Sequence, residues 1–396
     1  MKRLTLRMTA FVMLLSAAGS LKAQTTDNTI NVVTTAVPFL RISPDARAGG
    51  MGDIGLATTP DANSGFWNLA KTPFATSKYG VGLTYTPWLK DLGLNDVYLL
   101  AGSGYYQLDE NQALSSSIRY FSLGNIQFTD GSGTELGNGR PREFGIDFGY
   151  SRKLSNRMGL GLALRYINSN LVGGYSDQSS VYQAGNAVAG DLSFYYNGTN
   201  ENGQGWSFGT ALTNLGSKIG YSKDATQKDF IPANIGIGGT YRKVFDENNS
   251  IQFGLDFNKL MVPTPPEYVS DGDNPDSVND ALNREYRSMS VVSSWFKSFS
   301  DAPGGFSEEL KEVQVSVGAE YNYNNQFFFR TGYFYEDKTK GNRQFFTVGV
   351  GVKYNVFGLD FSYLVPSGSG VNRNPLSNTI RFGLIFDMGN DTGAGE

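Results

Sequence analysis

EVQVSVGAEYNY at residues 312–323, RQFFTVGVGVKY at 343–354 and FGLDFSYLV at 357–365 share one pattern. Every second residue is apolar, and most residues between them are small or polar. A period of two places the apolar residues on one face of a β-sheet. The segments are about ten residues long, which is typical of tilted membrane strands and longer than most soluble strands. The pattern therefore predicts an outer-membrane β-barrel.

The same pattern continues toward the N-terminus and predicts fourteen strands, an even number that closes an antiparallel barrel. The predicted strands are 79–86, 95–106, 112–123, 143–152, 158–169, 186–196, 205–215, 233–244, 250–260, 312–323, 326–336, 343–354, 357–365 and 379–388. Short connections alternate with long ones along the chain. In outer-membrane barrels the short turns are periplasmic and the long loops are extracellular. The alternation predicts all-β architecture with both chain ends on the periplasmic side.

Composition limits the possible functions. The 396 residues include no Cys and no His, but 49 Gly, 22 Tyr, 27 Phe and 4 Trp. A disulfide framework, a thiolate nucleophile and an imidazole base are therefore excluded, and the commonest zinc ligand is missing. We expect no enzyme activity, no cofactor and no metal site.

Residues 1–23 have the features of a secretory signal. Lys2, Arg3 and Arg7 precede a short apolar stretch, and small residues lead to Ala23 before Gln24. This apolar stretch is too short for a membrane-spanning helix. The segment carries four of the 33 basic residues, so its removal leaves a net charge of about −8, which argues against nucleic acid as a partner. We predict export to the outer membrane.

Residues 24–78 are not strand-like and are predicted to form a periplasmic arm followed by a plug inside the barrel. Large residues stand among glycines and prolines here, as in a compact segment rather than a linker. The predicted plug residues are Arg47, Gly50, Gly52, Asp53, Trp67 and Asn68. Gly50, Gly52 and Gly55 also match a dinucleotide-binding spacing, but no strand precedes them and Pro60 interrupts any following helix. Close backbone packing is the favoured interpretation of these glycines.

The strand faces predicted to line the lumen carry charges of both signs. They are Arg119, Asp147, Arg165, Asp191, Asp256, Glu320, Arg330, Lys353, Asp360 and Arg381. Two carboxylates such as Asp256 and Asp360 have the chemistry for acid–base catalysis, but charges solvated in a lumen or paired with a plug are the favoured interpretation.

The segment 261–311 is the longest predicted loop. Ser277 is predicted to cap a helix with apolar residues at three- and four-residue spacing. Met289, Trp295, Phe296 and Phe299 are the candidate partner-binding residues. Two interpretations remain open: the helix covers the barrel mouth, or it presents these side chains to a partner protein.

The blocks FLRISPDARAGGMGD at 39–53 and FWNLA at 66–70, followed by fourteen strands, resemble the PorV family of the Bacteroidota type IX secretion system. That family is itself similar to the FadL-type long-chain fatty acid transporters. Leu69 departs from the family pattern, in which a proline is frequent at this position.

The resemblance implies a non-enzymatic role in protein secretion. Members of the family accept cargo leaving an SprA/Sov-type translocon by holding its C-terminal domain, and deliver it to a PorU-type sortase attachment complex. The alternative is a FadL-type channel for fatty acids or other hydrophobic solutes. Outer-membrane lipid is an expected partner in both cases. A third possibility, lipopolysaccharide deacylation, has no supporting constellation in the sequence.

Overall fold

The computed structural model describes residues 30–173, 182–222, 228–267, 275–365 and 378–389. The predicted signal segment lies outside these ranges. The strands are β1 Tyr79–Pro87, β2 Val97–Asp109, β3 Gln112–Leu123, β4 Ile126–Thr129, β5 Glu135–Gly139, β6 Arg142–Lys153, β7 Met158–Asn170, β8 Gly185–Thr199, β9 Gly205–Gly216, β10 Asn234–Val244, β11 Asn249–Leu260, β12 Gln314–Tyr323, β13 Phe327–Tyr335, β14 Gln344–Tyr354, β15 Phe357–Val365 and β16 Ile380–Met388.

Fourteen of these strands form one closed antiparallel barrel in which each strand pairs with its neighbours along the chain, and β1 pairs with β16. The predicted number and order of the barrel strands are confirmed. The remaining two, β4 and β5, form a separate hairpin in the loop between β3 and β6, where the sequence predicts only a loop. These strands are four and five residues long, too short to show a clear alternation.

The barrel wall is apolar outside and polar inside. Side chains such as Leu83, Leu164 and Val350 are exposed. Alternating with the outward positions are buried polar and charged residues such as Thr84 and Arg165. A soluble barrel would bury its apolar residues instead, so this surface requires a lipid environment.

Aromatic side chains are concentrated near both ends of the strands. Tyr79 packs with Tyr106, and Tyr323 with Phe327, near the end where the short turns lie. Near the opposite end the paired rings include Tyr85–Tyr98, Tyr98–Tyr120 and Phe144–Tyr166. Aromatic belts of this kind mark the two interfaces of a membrane-spanning band.

The two ends of the barrel differ in their connections. Tyr79 at the start of β1 pairs with Met388 at the end of β16, and short turns such as 109–112 and 354–357 lie at this same end. We call it the short-turn end. The opposite, long-loop end carries segments such as 261–313, which we call the long loop.

Residues 37–77, the inner segment, run through the barrel from the long-loop end to the short-turn end. The segment contains 3-10 helices at Pro38–Arg41 and Leu69–Phe74, and two single-turn helices, α1 Ala46–Gly49 and α2 Ser64–Trp67. Near its start, Phe39 and Leu40 pack with Leu99 and Phe121 of the wall. Near its end, the ring of Phe74 packs edge-on against Tyr195, close to the short turns.

Residues 31–36, the arm, contact loops at the long-loop end. The amide of Asn31 donates to the carbonyl of Thr339, and Val33 packs with Phe230, Leu260 and Val262. The prediction of an arm on the side of the short turns is therefore wrong for residues 31–36. The polar, β-branched composition of the arm gave no sign that Val33 would find an apolar cluster among the loops.

The long loop contains α3 Pro275–Ser288, α4 Val291–Lys297 and α5 Phe306–Lys311. The sequence predicts a single helix capped by Ser277, which is wrong on both points. Ser277 lies inside α3, and the helix ends at Ser288. The side chain of Ser290 accepts a hydrogen bond from the Ser293 amide and so begins a second helix. Among the described residues, no helix is long and apolar enough to span a bilayer.

Candidate functional site

The glycine-rich turn of the inner segment lies directly against the barrel wall. Gly318, Gly332 and Thr347 face one another across β12, β13 and β14, and the backbone at Met51 and Gly52 packs on this row. The amide of Gly52 donates to the Thr347 hydroxyl at 2.8 Å. Gly52 has a φ of 69°, and a Cβ there would lie 2.6 Å from the backbone nitrogen of Tyr333.

Gly50 and Asp53 complete this turn. A Cβ on Gly50 would lie 3.1 Å from the Cα of Gly349 on β14. The amide of Asp53 donates to the Ala48 carbonyl, which closes the turn after α1, and its φ of 65° is in the left-handed region. Gly50 and Gly52 of the segment thus lie directly against the backbone of the wall, whereas a Cβ on Gly55 would meet the Trp67 side chain.

Arg47 anchors the inner segment electrostatically. Its guanidinium makes bidentate hydrogen bonds of 2.9 and 2.8 Å to Glu320 on β12. It also donates to the carboxylate of Asp61 at 2.8 Å and to the carbonyl and hydroxyl of Thr59. All five guanidinium N–H groups therefore have acceptors. Glu320 is shared with Arg330, which in turn binds Asp360, so the network continues into the wall.

Asn68 and Trp67 hold the segment together. The Asn68 amide donates to the carbonyls of Leu56 and Phe194, and its side-chain oxygen accepts from the Ala70 amide. The indole of Trp67 donates to Asp45 at 2.6 Å. Asn68 thus joins two parts of the segment to strand β8.

Charges of the wall bind both the segment and each other. The Asp256 carboxylate accepts from the amides of Gly55 and Leu56, and Arg119 donates to the Leu40 carbonyl at 2.8 Å. Other wall charges pair across strands: Arg165 with Asp147 and Asp191, and Lys353 with Asp387. Asp256 and Arg119 thus bind backbone groups of the inner segment, whereas Arg165 and Lys353 pair with carboxylates of the wall. Asp256 and Asp360 have different partners: Asp256 accepts from the Gly55 amide, and Asp360 pairs with Arg330.

The long loop is anchored to the barrel by a buried ionic cluster. Lys259 at the end of β11 pairs with Glu309 at 2.9 Å and with Glu312 at 2.5 Å. Lys340 pairs with Glu308 at 2.6 Å and with Glu312 at 3.0 Å. Two lysines thus face several carboxylates, and the base of the loop is fixed on two sides.

Asp301 belongs to the same cluster. Burial raises the pKa of its carboxyl to about 6, although hydrogen bonds from the amide and hydroxyl of Thr264 lower it. The charges of Glu309 and Glu312 contribute to this raised pKa. The cluster therefore holds more acidic groups than its lysines neutralise.

Residues 336–343, the rim loop between β13 and β14, connect the long loop to the inner segment. Lys340 binds the long loop as described, and Glu336 accepts from Arg41 of the inner segment at 3.2 Å. Burial raises the pKa of Glu336, but hydrogen bonds from Arg343 and the charges of Arg343 and Arg41 outweigh it, and the pKa lies below its usual value. Nothing in the sequence indicated this connecting role, because the composition of the loop is that of an ordinary charged turn.

The predicted partner-binding residues differ in exposure. The exposed fractions are 56% for Val292, 74% for Phe296 and 45% for Phe299. These residues follow one another at spacings of four and three residues, the first two on α4 and the third just after it. Trp295 is half-buried. Met289 packs toward the cluster around Val33, and its carbonyl accepts from Lys218. We call Val292, Phe296 and Phe299 the exposed stripe.

A closed barrel with an apolar exterior, a polar interior and a segment packed inside it defines an outer-membrane β-barrel of the channel or shuttle class. Within that class the chain belongs to the family of the type IX secretion system protein PorV, whose family model matches residues 24–267. It is therefore an outer-membrane component of that secretion system.

Solved structures share the fold at low sequence identity. The Ralstonia pickettii toluene transporter TbuX is 11% identical with a TM-score of 0.51, over 87% of this chain and 98% of that chain. A TodX deltaS2S3 mutant monoaromatic hydrocarbon channel is 13% identical with a TM-score of 0.50, over 86% of this chain and 97% of that chain. These likenesses show that the chain shares its barrel fold with these two proteins. No curated protein matches the chain in sequence.

Proposed function

We propose that this protein captures the C-terminal domain of secreted cargo on the exposed stripe of its long loop. The cargo arrives from an SprA/Sov-type translocon and passes to a PorU-type sortase attachment complex at the cell surface. In this proposal the long-loop end is extracellular and the short-turn end is periplasmic. The inner segment serves as a plug, so that transport takes place at the surface rather than through the lumen.

The observation that carries the proposal is the combination of exposure and rigidity at the stripe. Phe296 and Phe299 are exposed, although burying a phenylalanine side chain is worth about 1.5–3 kcal/mol. The loop that carries them is tied to the barrel by Lys259 and Lys340. A rigid loop with exposed aromatic side chains loses little conformational entropy when it binds a partner.

The test is a pull-down from mild-detergent extracts of outer membranes with the tagged C-terminal domain of a secreted protein. Phe296→Asp with Phe299→Asp should reduce capture at least tenfold, since losing one aromatic hot spot costs about 2 kcal/mol or more. Leu92→Asp is the matched control, because Leu92 is 61% exposed in a different loop at the same end. Full capture by the double variant at wild-type barrel levels would rule out the stripe as the cargo site.

Diffusion of a hydrophobic solute through the lumen is the second candidate, favoured by the fold shared with a toluene transporter. A cavity of ≈ 600 Å³ inside the barrel is lined by Arg47, Arg330 and Asp360 together with apolar side chains. Ligand sites for apolar molecules are lined mainly by apolar side chains. This mixed lining supports capture at the surface over diffusion through the lumen.

A further inference from the structure

Two cavities meet at the short-turn end of the barrel. One of ≈ 600 Å³ lies between the inner segment and the barrel wall, and one of ≈ 540 Å³ lies among the turns after β8, β10 and β12. Both are lined by Arg242, Ser250, Asn322 and Asn325. We call this junction the mouth. The inner segment fills the lumen beyond it, so a ligand reaches the mouth from the short-turn end.

Arg242 is the basic residue that lines both cavities. The Thr240 hydroxyl donates to the Ala57 carbonyl of the inner segment, so Thr240 faces the lumen. Arg242 lies two residues further along β10 and therefore faces the lumen as well. Its guanidinium donates to the Ser250 hydroxyl at 3.2 Å and forms no salt bridge with any residue that the structure describes. By contrast, the larger cavity's other basic residues, Arg47, Arg330 and Lys353, are each paired with a carboxylate.

The surroundings of Arg242 are rich in side-chain amides. Those lining the outer cavity are Asn200, Asn202, Gln204, Asn248, Asn249, Asn322 and Asn325. The side-chain oxygen of Asn322 is buried and accepts no hydrogen bond from the part of the chain that the structure describes, although its amide nitrogen donates to Asn325 at 2.6 Å. Because an amide both donates and accepts, such a lining matches the alternating N–H and C=O groups of an extended polypeptide.

We propose that the mouth binds an extended polypeptide segment of a periplasmic partner, with one of its carboxylates paired to Arg242. A guanidinium forms parallel hydrogen bonds to both oxygens of a carboxylate, and this pairing is stronger than neutral hydrogen bonds. Asp246 and Glu247 line the outer cavity without forming a salt bridge to Arg242, so its guanidinium is open to the carboxylate of a ligand. Each of the two cavities lies within the size range of small-ligand pockets, about 300–1,000 Å³.

This site lies at the opposite end of the barrel from the exposed stripe. Its occupation does not depend on cargo capture by the long loop, so either proposal can fail alone. A partner at the mouth would hold the barrel from the periplasmic side while the long loop engages cargo on the other side.

The test uses isothermal titration of the full chain in detergent with an acetylated alanine–glycine pentapeptide that ends in a free carboxylate. We expect binding that weakens at least tenfold for the amidated form of the same peptide, and equally for Arg242→Gln. Arg157→Gln is the matched control, because Arg157 is exposed in a short turn at the same end and should bind like the wild type.

The proposal is overturned if the wild type binds the free-carboxylate and the amidated peptides equally, or binds neither. This comparison uses the wild type alone, so it holds even if Arg242→Gln fails to fold. Binding of chitotetraose in place of the peptide would assign the mouth to a glycan and also overturn it. So would binding of the peptide only by a chain shortened to Gly389, since residues 390–396 would then be the occupant. Heat-modifiable mobility on gels checks folding of each variant.

Discussion

Gly332→Val is expected to displace the inner segment from the barrel wall. A Cβ at Gly332 would lie 2.1 Å from the carbonyl carbon of Met51 and 2.2 Å from the nitrogen of Gly52. Backbone atoms cannot move aside as a flexible side chain can, and overpacking in a core already costs about 1–3 kcal/mol. We expect the wild type to be non-conducting in planar lipid bilayers, and the variant to conduct ions or to lose its folded form on gels.

Gly358→Val is the matched control for this experiment. Gly358 also faces inward, but it lines the large cavity, and a Cβ there would lie 3.4 Å from its nearest neighbour, the Cβ of Ile385. The control should fold and remain closed. A closed and fully stable Gly332→Val barrel would show that the inner segment does not rest on this row of glycines.

Arg47→Met is expected to lower the free energy of unfolding by about 3–5 kcal/mol. The substitution keeps an apolar chain of similar length but removes all five hydrogen bonds of the guanidinium. Asp61 then loses its cation, and Glu320 retains Arg330 alone. A buried carboxylate without a partner costs more than the lost attraction itself. Urea unfolding of the barrel in lipid vesicles, followed by tryptophan fluorescence, measures the change.

The double variant Glu320→Gln with Arg47→Met tests whether the two residues stabilise the protein through the same network. The double variant should lose less stability than the sum of the two single variants, because the residues act through one network. Arg157→Met at the exposed turn should change stability by about 0.5 kcal/mol or less. Strict additivity of the two losses would mean that Arg47 and Glu320 are not coupled.

The barrel could be predicted from sequence because its signal repeats. Each strand has one face in lipid and one in a polar lumen, so alternation is visible in every strand. Gly50 and Gly52 could also be interpreted from sequence. Several glycines stand among large residues in this segment, and that composition indicated close backbone packing. The predicted plug residues Arg47 and Asn68 now have wall partners, Glu320 and the Phe194 carbonyl.

Contacts between segments distant in sequence could not be predicted. Val33 has ordinary neighbours in the chain, and its burial depends on Phe230, Leu260 and Val262. The break between α3 and α4 depends on whether Ser290 caps a new helix, and the sequence offers other serines nearby. The role of Lys340 arises because folding brings Glu308 and Glu312 to the rim loop.

Site-specific cross-linking in living cells tests most directly whether cargo is held at the long-loop surface. A photoreactive phenylalanine analogue would replace Phe296, Phe299 or Phe74, the last of which lines the large cavity at the other end of the barrel. We predict adducts with the C-terminal domains of secreted proteins from positions 296 and 299, and none from 74. Adducts from position 74 without any from 296 or 299 would contradict capture at the surface and place the path of transport in the lumen.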